Sequence, residues 1–172
     1  KIQRVEFKVE HKRKLLPDYL PYLEGVISAD TGQQDDVVTT LMLWHIDCGE
    51  FDTALWLGEY AVTHALAMPS QHNRNVAAAL TEEMADQYLQ PKSQSPAPTQ
   101  AQLEETLQLV HGHDMHNQIL AKLHKAIGLA MIGDNPDISA PDSIGHLERA
   151  LELNNNSGVK KIIDKQKKLA AE

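Results

Sequence analysis

Apolar side chains recur every three or four residues along almost the whole chain of 172 residues. This spacing places them on one face of an α-helix, and no segment alternates apolar and polar residues as a β-strand does. Hydrophobic residues make up 42% of the chain, enough for a folded core, and no apolar run approaches the roughly 20 residues that cross a membrane. The sequence therefore predicts a soluble, intracellular, all-α protein built as an antiparallel bundle of helical hairpins.

Prolines and turn residues divide the chain into four predicted segments. These are a basic N-terminal helix at 1–16, a central helical domain at 17–90, a Pro- and Ser-rich loop at 91–99, and C-terminal helical hairpins at 100–172. Pro17 and Pro21 are expected to end the first helix, so that a separate short helix follows over 18–29. Residues 144–156 are similar to the second helix of a tetratricopeptide hairpin, with the final helix as its partner.

Several helix ends are marked by capping residues. A strongly apolar helix is predicted to begin at Asp35 or Asp36 and to end at Gly49, and Asp52 is expected to cap the helix that follows. Thr99 with Gln102 three residues later forms the pattern of a capping box.

The charge of the chain is unevenly distributed. Sixteen basic and 24 acidic residues give a net charge of −8. Residues 1–14 hold six basic and two acidic residues, a net of +4, and residues 159–172 hold five and two, a net of +3. The body between them holds the remaining five basic and 20 acidic residues, a net of −15. A polyanion is therefore expected to engage only the two ends, although terminal basic runs are also typical of solvated helix faces.

Four side chains form the most metal-like pattern in the sequence: His111, His113, Asp114 and His116. They lie in a Gly-containing stretch between two predicted helices, without the i, i+4 spacing of a zinc-binding helix. A polar loop is therefore the favoured interpretation, and metal binding is the alternative. Cys48 is the only cysteine, which excludes an internal disulfide and a cysteine-based zinc site.

Carboxylates cluster around two predicted helix starts, as a magnesium-dependent nuclease would require. They are Glu24, Asp30, Asp35, Asp36, Asp47, Glu50 and Asp52. Helix capping explains Asp35, Asp36 and Asp52 without catalysis, so a hydrolytic site is the less favoured interpretation. No Gly-rich phosphate loop is present, which argues against an ATPase.

Short strings in a fixed order resemble a known family. They are Lys12 to Pro17, Gly32 to Val37, Met42 to Trp44, Met68-Pro69, Thr81 to Glu83, Ala121 to Lys125 and Gly158 to Lys161. Together they resemble the small terminase subunit of P2-like tailed bacteriophages, which is often called the terminase endonuclease subunit. The likeness extends over residues 12–169.

The resemblance implies a role in phage DNA packaging in the host cytoplasm. It implies binding of double-stranded DNA at the cohesive-end (cos) site, assembly into a homo-oligomeric ring, and recruitment of a large ATPase subunit, with no membrane partner. Members of the family extend beyond both ends of this chain, so we expect it to be part of a longer protein. Terminase nuclease chemistry generally resides in the large subunit, and no catalytic residue is assigned here.

On this interpretation, DNA phosphates contact the basic ends of the chain. The expected DNA-binding residues are Lys1, Arg4, Lys8, Lys12, Arg13, Lys14, Lys160 and Lys161. The apolar seam of Ile2, Val5 and Val9 is expected to contribute to contacts between subunits. No cofactor or metal is expected for this function. Two alternatives remain: a nuclease that cuts cos DNA itself with magnesium, and an adaptor that binds only protein.

Overall fold

The computed structural model describes residues 4–69, 74–90 and 95–171, and within these ranges the fold is all-α. The helices are α1 (Val5–Ala29), α2 (Asp36–Cys48), α3 (Phe51–Thr63), α4 (Val76–Leu89), α5 (Gln100–Leu109), α6 (Asn117–Ile132), α7 (Pro141–Leu153) and α8 (Lys160–Leu169). The all-α prediction is confirmed. No helix in the described ranges is both long and apolar enough to cross a membrane.

Helix α1 is longer than the sequence predicted. It continues through Pro17 and Pro21 for 25 residues and ends at Asp30, which adopts a left-handed conformation. The predicted break and the separate short helix over 18–29 are therefore wrong, and the boundary after residue 16 lies inside α1. Both prolines are exposed, so their rings lie on the solvent side of the helix rather than in the core.

The apolar stripe that holds α1 in place spans both prolines. Val9, Leu16 and Leu23 follow one another at intervals of seven residues, and all three are buried. Burial of such side chains contributes about 1.5–3 kcal/mol each, comparable with the ~3 kcal/mol cost of a proline inside a helix. The packing of these three side chains in the core therefore compensates for the tendency of the two prolines to break the helix.

The core consists of three apolar clusters along the bundle. Among the described residues, the largest cluster is formed by α1, α2, α3 and α4. The second is formed by α4, α5 and α6, and the third lies between α7 and α8. Helix α4 packs against α2, α3, α5 and α6 and is almost entirely buried. The most extensive helix pair is α6 with α7. Helix α7 also packs on α8, and the tetratricopeptide likeness of that pair stays a prediction.

Local capping is largely as the sequence predicted. Asp35 accepts hydrogen bonds from the amides of Val37 and Val38 at the start of α2, and the Thr99–Gln102 capping box is present. Asp52 is an exception, because α3 already begins at Phe51 and the Asp52 carboxylate instead accepts a hydrogen bond from Gln102 Nε2 at 2.6 Å.

The end of α2 contacts Ser95 and Pro96, which lie far away in the sequence. Gly49 ends the helix with a φ of 78°, and any side chain there would collide with Pro96. Ser95 donates a hydrogen bond to the carbonyl of Asp47 at 2.9 Å. The described part of the predicted loop, residues 95–99, therefore begins with two residues that pack against the end of α2. The division of the chain into domains stays a prediction.

Candidate nucleic-acid interface

The first half of α1, together with its N-cap residue Arg4, carries five of the eight predicted DNA-binding residues. Arg4 and Lys8 are exposed, and neither forms an ion pair with another described residue. The Arg4 guanidinium lies 5.7 Å from the ring centre of Phe7, whose side chain is 51% exposed. These two cations are available to a polyanion. Lys1 and Ile2 lie outside the described residues.

Lys12 has a different environment from its neighbours. Its ammonium lies 2.5 Å from Asp47 Oδ2 of α2 and 5.3 Å from the ring centre of Trp44, and about four-fifths of its side chain is buried. Arg13 donates a hydrogen bond to the carbonyl of Cys48 at 3.2 Å. The carboxyl end of a helix carries a partial negative charge that attracts cations. Lys12 and Arg13 therefore stabilise the packing of α1 against the end of α2.

Lys14 is paired, but only on the surface. It forms an i, i+4 ion pair with Glu10 at 2.7 Å, and both side chains are more than half exposed. The hydrogen bond and charge of Lys14 lower the pKa of Glu10. Exposed pairs of this kind contribute little to stability, so Lys14 can exchange Glu10 for a phosphate at small cost.

The predicted oligomerisation seam lies partly inside the protomer. Val9 is only 6% exposed, and its carbonyl accepts a weak hydrogen bond from the Cys48 thiol at 3.7 Å. The expectation that Val9 contacts a neighbouring subunit is therefore wrong: it packs in its own core. The backbone of Val5 is helical, and its side chain lies outside the described part of the structure.

Helix α8 presents a second cationic surface. Lys160, Lys161 and Lys168 are exposed and form no ion pair with another described residue. Lys165 and Lys167 instead pair with Asp137 and Glu148, at 2.6 and 2.7 Å. The inner face that the sequence predicted is confirmed, because Val159, Ile163 and Gln166 are buried and Ile162 is half-buried.

The two cationic surfaces lie on different parts of the bundle. Helix α1 packs on α2, whereas α8 packs on α7. Along the chain, the acidic body lies between them, so the charge of the protein is strongly polarised. This arrangement permits phosphate contacts without defining how bases would be recognised.

Most of the carboxylates that suggested a nuclease form other contacts within the protein. Besides capping α2, Asp35 accepts a hydrogen bond from the Tyr22 hydroxyl at 2.6 Å, and Asp36 accepts one from Gln34. The carboxylate of Asp30 contacts His64 at 2.7 Å. In the described ranges, no three His, Cys, Asp or Glu side chains are grouped so that they could hold a metal ion.

The histidine-rich stretch forms an exposed connection between α5 and α6. His111, His113, Asp114 and His116 are all exposed. The backbone carbonyl of Asp114 accepts a hydrogen bond from Asn75 at 2.8 Å, which ties the stretch to the start of α4.

Two polar clusters in the C-terminal half were missed by sequence reasoning. Nδ1 of His124 lies 3.0 Å from Nδ1 of His146, between α6 and α7. Lys122 bridges Glu82 and Asp86 of α4 at 3.0 and 2.9 Å. Each cluster joins separate helices, and no spacing within one helix could have revealed it.

Comparison with known proteins identifies the family of the chain. Residues 1–118 match the family described as phage small terminase subunit. Because this match covers more than half of the chain, the chain belongs to the phage small terminase subunit family. One curated relative is "Terminase, endonuclease subunit" of Escherichia phage P2, 38% identical over 160 residues. That alignment covers 93% of this chain and 64% of the relative, so the chain spans slightly less than two thirds of the relative's length. No solved structure matches the chain.

Proposed function

We propose that the chain acts in phage DNA packaging as the small subunit of a terminase. In this role it binds double-stranded DNA at the cos packaging site as a homo-oligomer, forms a ring, and recruits a large ATPase subunit that cuts and translocates the genome. Membership of the small terminase family supports the packaging role. The phage P2 relative is named as a terminase subunit, which supports a large subunit as partner.

The observation that carries DNA binding is the segregation of unpaired cations at the two ends of an acidic protein. Arg4, Lys8, Lys160 and Lys161 are exposed and unpaired among the described residues, and Lys14 has only a surface partner. Lys1, beyond the described residues, stays a predicted contact. Lys12 and Arg13 already bind the end of α2, so we assign them to the attachment of α1.

The phosphate contacts have a measurable signature in salt. Each phosphate neutralised releases counterions and adds about 0.9 to the slope of log affinity against log salt. Fluorescence anisotropy of labelled cos DNA at increasing salt measures this slope. An affinity that does not respond to salt would contradict the proposed phosphate contacts, and no binding of cos DNA at any salt concentration would favour the protein-only adaptor.

A second candidate is a metal-dependent endonuclease, and the name of the phage P2 relative, a terminase endonuclease subunit, favours it. This candidate requires that the isolated chain cut cos DNA when magnesium is added. Asp35→Ala or Asp36→Ala should then abolish cleavage while circular dichroism shows a folded protein. If the chain binds DNA without cutting it, catalysis belongs to the large subunit.

A further inference from the structure

Helix α1 has a second apolar face in addition to the one buried in the core. Leu15, Tyr19, Tyr22, Val26 and Ala29 follow one another at intervals of four, three, four and three residues. This spacing is that of a coiled-coil seam. Tyr19 is 38% and Tyr22 48% exposed, and Leu15 and Val26 are half-buried. Val26 packs against the core at one edge of this face, whereas Tyr19 and Tyr22 remain exposed to solvent; we call the face the outer seam.

The surface beside the outer seam can accept another helix. A groove of about 560 Å³ runs between Pro21–Ala29 and the loop at 31–35. A Cβ added at Gly25 would meet nothing within 4 Å, so a second backbone can approach closely here. The hydrogen bond from the Tyr22 hydroxyl to Asp35 holds the tyrosine ring at the edge of the groove.

Charge along this part of the chain is strongly polarised. Residues 4–14 hold five basic residues and two acidic ones, a net of +3. Residues 15–36 hold five acidic residues and no basic one, a net of −5. The cationic half therefore precedes the outer seam, and carboxylates lie along the seam and at its far end.

We infer that the outer seam binds the same face of a second copy of this chain, with the two α1 helices antiparallel. This orientation lays residues 15–29 of one copy on residues 15–29 of the other and brings each cationic half toward the acidic end of its neighbour. A parallel pair in register would instead bring like charges together. If the two α1 helices were instead displaced along their length, the apolar residues of one copy would contact the cationic half of the other.

The pairing is a two-fold contact in which both copies use the same patch. It deepens the assembly step of the proposed function, but it does not depend on DNA binding. A ring built with this contact needs a second interface, and it contains an even number of copies.

The first test compares two glutamates on the same helix. Gly25 lies beside the outer seam, in the groove that it shares with Tyr22 and Val26, whereas Ser28 is exposed on another side of α1. Glutamate is a better helix former than glycine, so Gly25→Glu keeps α1 intact. Native mass spectrometry should show an even number of copies for the unmodified chain and for Ser28→Glu, and for Gly25→Glu only the smaller species that the second interface can hold together, or a monomer where there is none. A monomeric unmodified chain, or an unchanged mass for Gly25→Glu, would overturn the inference.

The second test measures orientation by cysteine cross-linking in a Cys48→Ala background. Tyr22 lies near the two-fold axis, so Tyr22→Cys should form a disulfide between two copies. His11 is exposed on the same side of α1, but in an antiparallel pair the two copies of residue 11 lie about 30 Å apart. His11→Cys should therefore stay monomeric on denaturing gels.

Cross-linking at His11→Cys would show a parallel pair, and its absence at Tyr22→Cys would show a different interface. Either result overturns the inference. Anisotropy with cos DNA on the same samples separates the two proposals, since loss of DNA binding with intact cross-linking contradicts only the proposed function.

Discussion

The ammonium of Lys12 and the carboxylate of Asp47 lie 2.5 Å apart, with only 22% and 19% of their side chains exposed. Lys12 thus belongs to the packing between α1 and α2, although it stands among the cations that the sequence assigned to DNA. The contact joins α1, which also carries the exposed Lys8 and Lys14, to α2.

Lys12→Met is expected to destabilise the protein while leaving the DNA contacts in place. Methionine keeps the packing on Trp44 but removes the charge beside a largely buried carboxylate, which costs about 1–3 kcal/mol. Urea unfolding measures this loss.

Lys8→Met is the matched change at an exposed position of the same helix. It should leave the unfolding free energy within about 0.5 kcal/mol and lower the salt slope of DNA binding by about 0.9. If Lys12→Met lowered the slope and left stability unchanged, Lys12 would be a phosphate contact after all.

Pro17→Ala is expected to raise the stability of the protein. The substitution restores an amide that can donate to the carbonyl of Arg13, inside a helix that is already continuous at this point. We expect a gain of about 1–3 kcal/mol, reduced by the greater freedom of the unfolded chain. A higher midpoint in thermal unfolding checks it, and a lower midpoint would show that α1 needs the proline.

Two buried glutamines are expected to respond in opposite directions to the same substitution. Both amide atoms of Gln87 lack a hydrogen-bond partner among the described residues, whereas Gln166 accepts from Ala140 N and donates to the carbonyls of Pro136 and Ile138. Since an unpaired buried amide costs about 1–3 kcal/mol, Gln87→Met should stabilise and Gln166→Met destabilise by about that amount. Chemical denaturation of both variants measures the difference, and equal losses of stability would contradict this account.

The half-buried pair of His124 and His146 predicts a loss of stability in mild acid. Burial, the neighbouring His146 and Arg149 lower the pKa of His124 to about 4, and burial also lowers the pKa of His146 although Glu104 acts against it. The unfolded chain, with a histidine pKa near 6.5, therefore binds protons first. The neutral histidine pair therefore makes its full contribution to the free energy of unfolding above about pH 6.5. This contribution is lost as the pH falls toward 4.

Urea unfolding between pH 4 and 7 tests this pH dependence. His124→Gln should flatten the decline, whereas His111→Gln, at an exposed position, should leave it unchanged. An identical decline in all three proteins would assign the acid sensitivity to other groups.

Features that depend on neighbouring residues could be predicted from the sequence. The all-α class follows from apolar spacing, and the caps at Asp35, Gly49 and Thr99 follow from side chains that bond the nearby backbone. The continuity of α1 could not be predicted, because Pro17 and Pro21 break a helix locally and only packing across distant residues compensates. The role of Lys12 was hidden for the same reason, since Asp47 is 35 positions away in the chain.

The most direct test of the account is the salt dependence of binding to cos DNA when five exposed cations are neutralised together. The five are Arg4, Lys8, Lys14, Lys160 and Lys161, each replaced by glutamine. We predict a folded, assembled protein with weaker binding and a shallower slope, by about 0.9 for each phosphate that the protein no longer neutralises. An unchanged affinity and slope would contradict the central claim that these ends bind DNA.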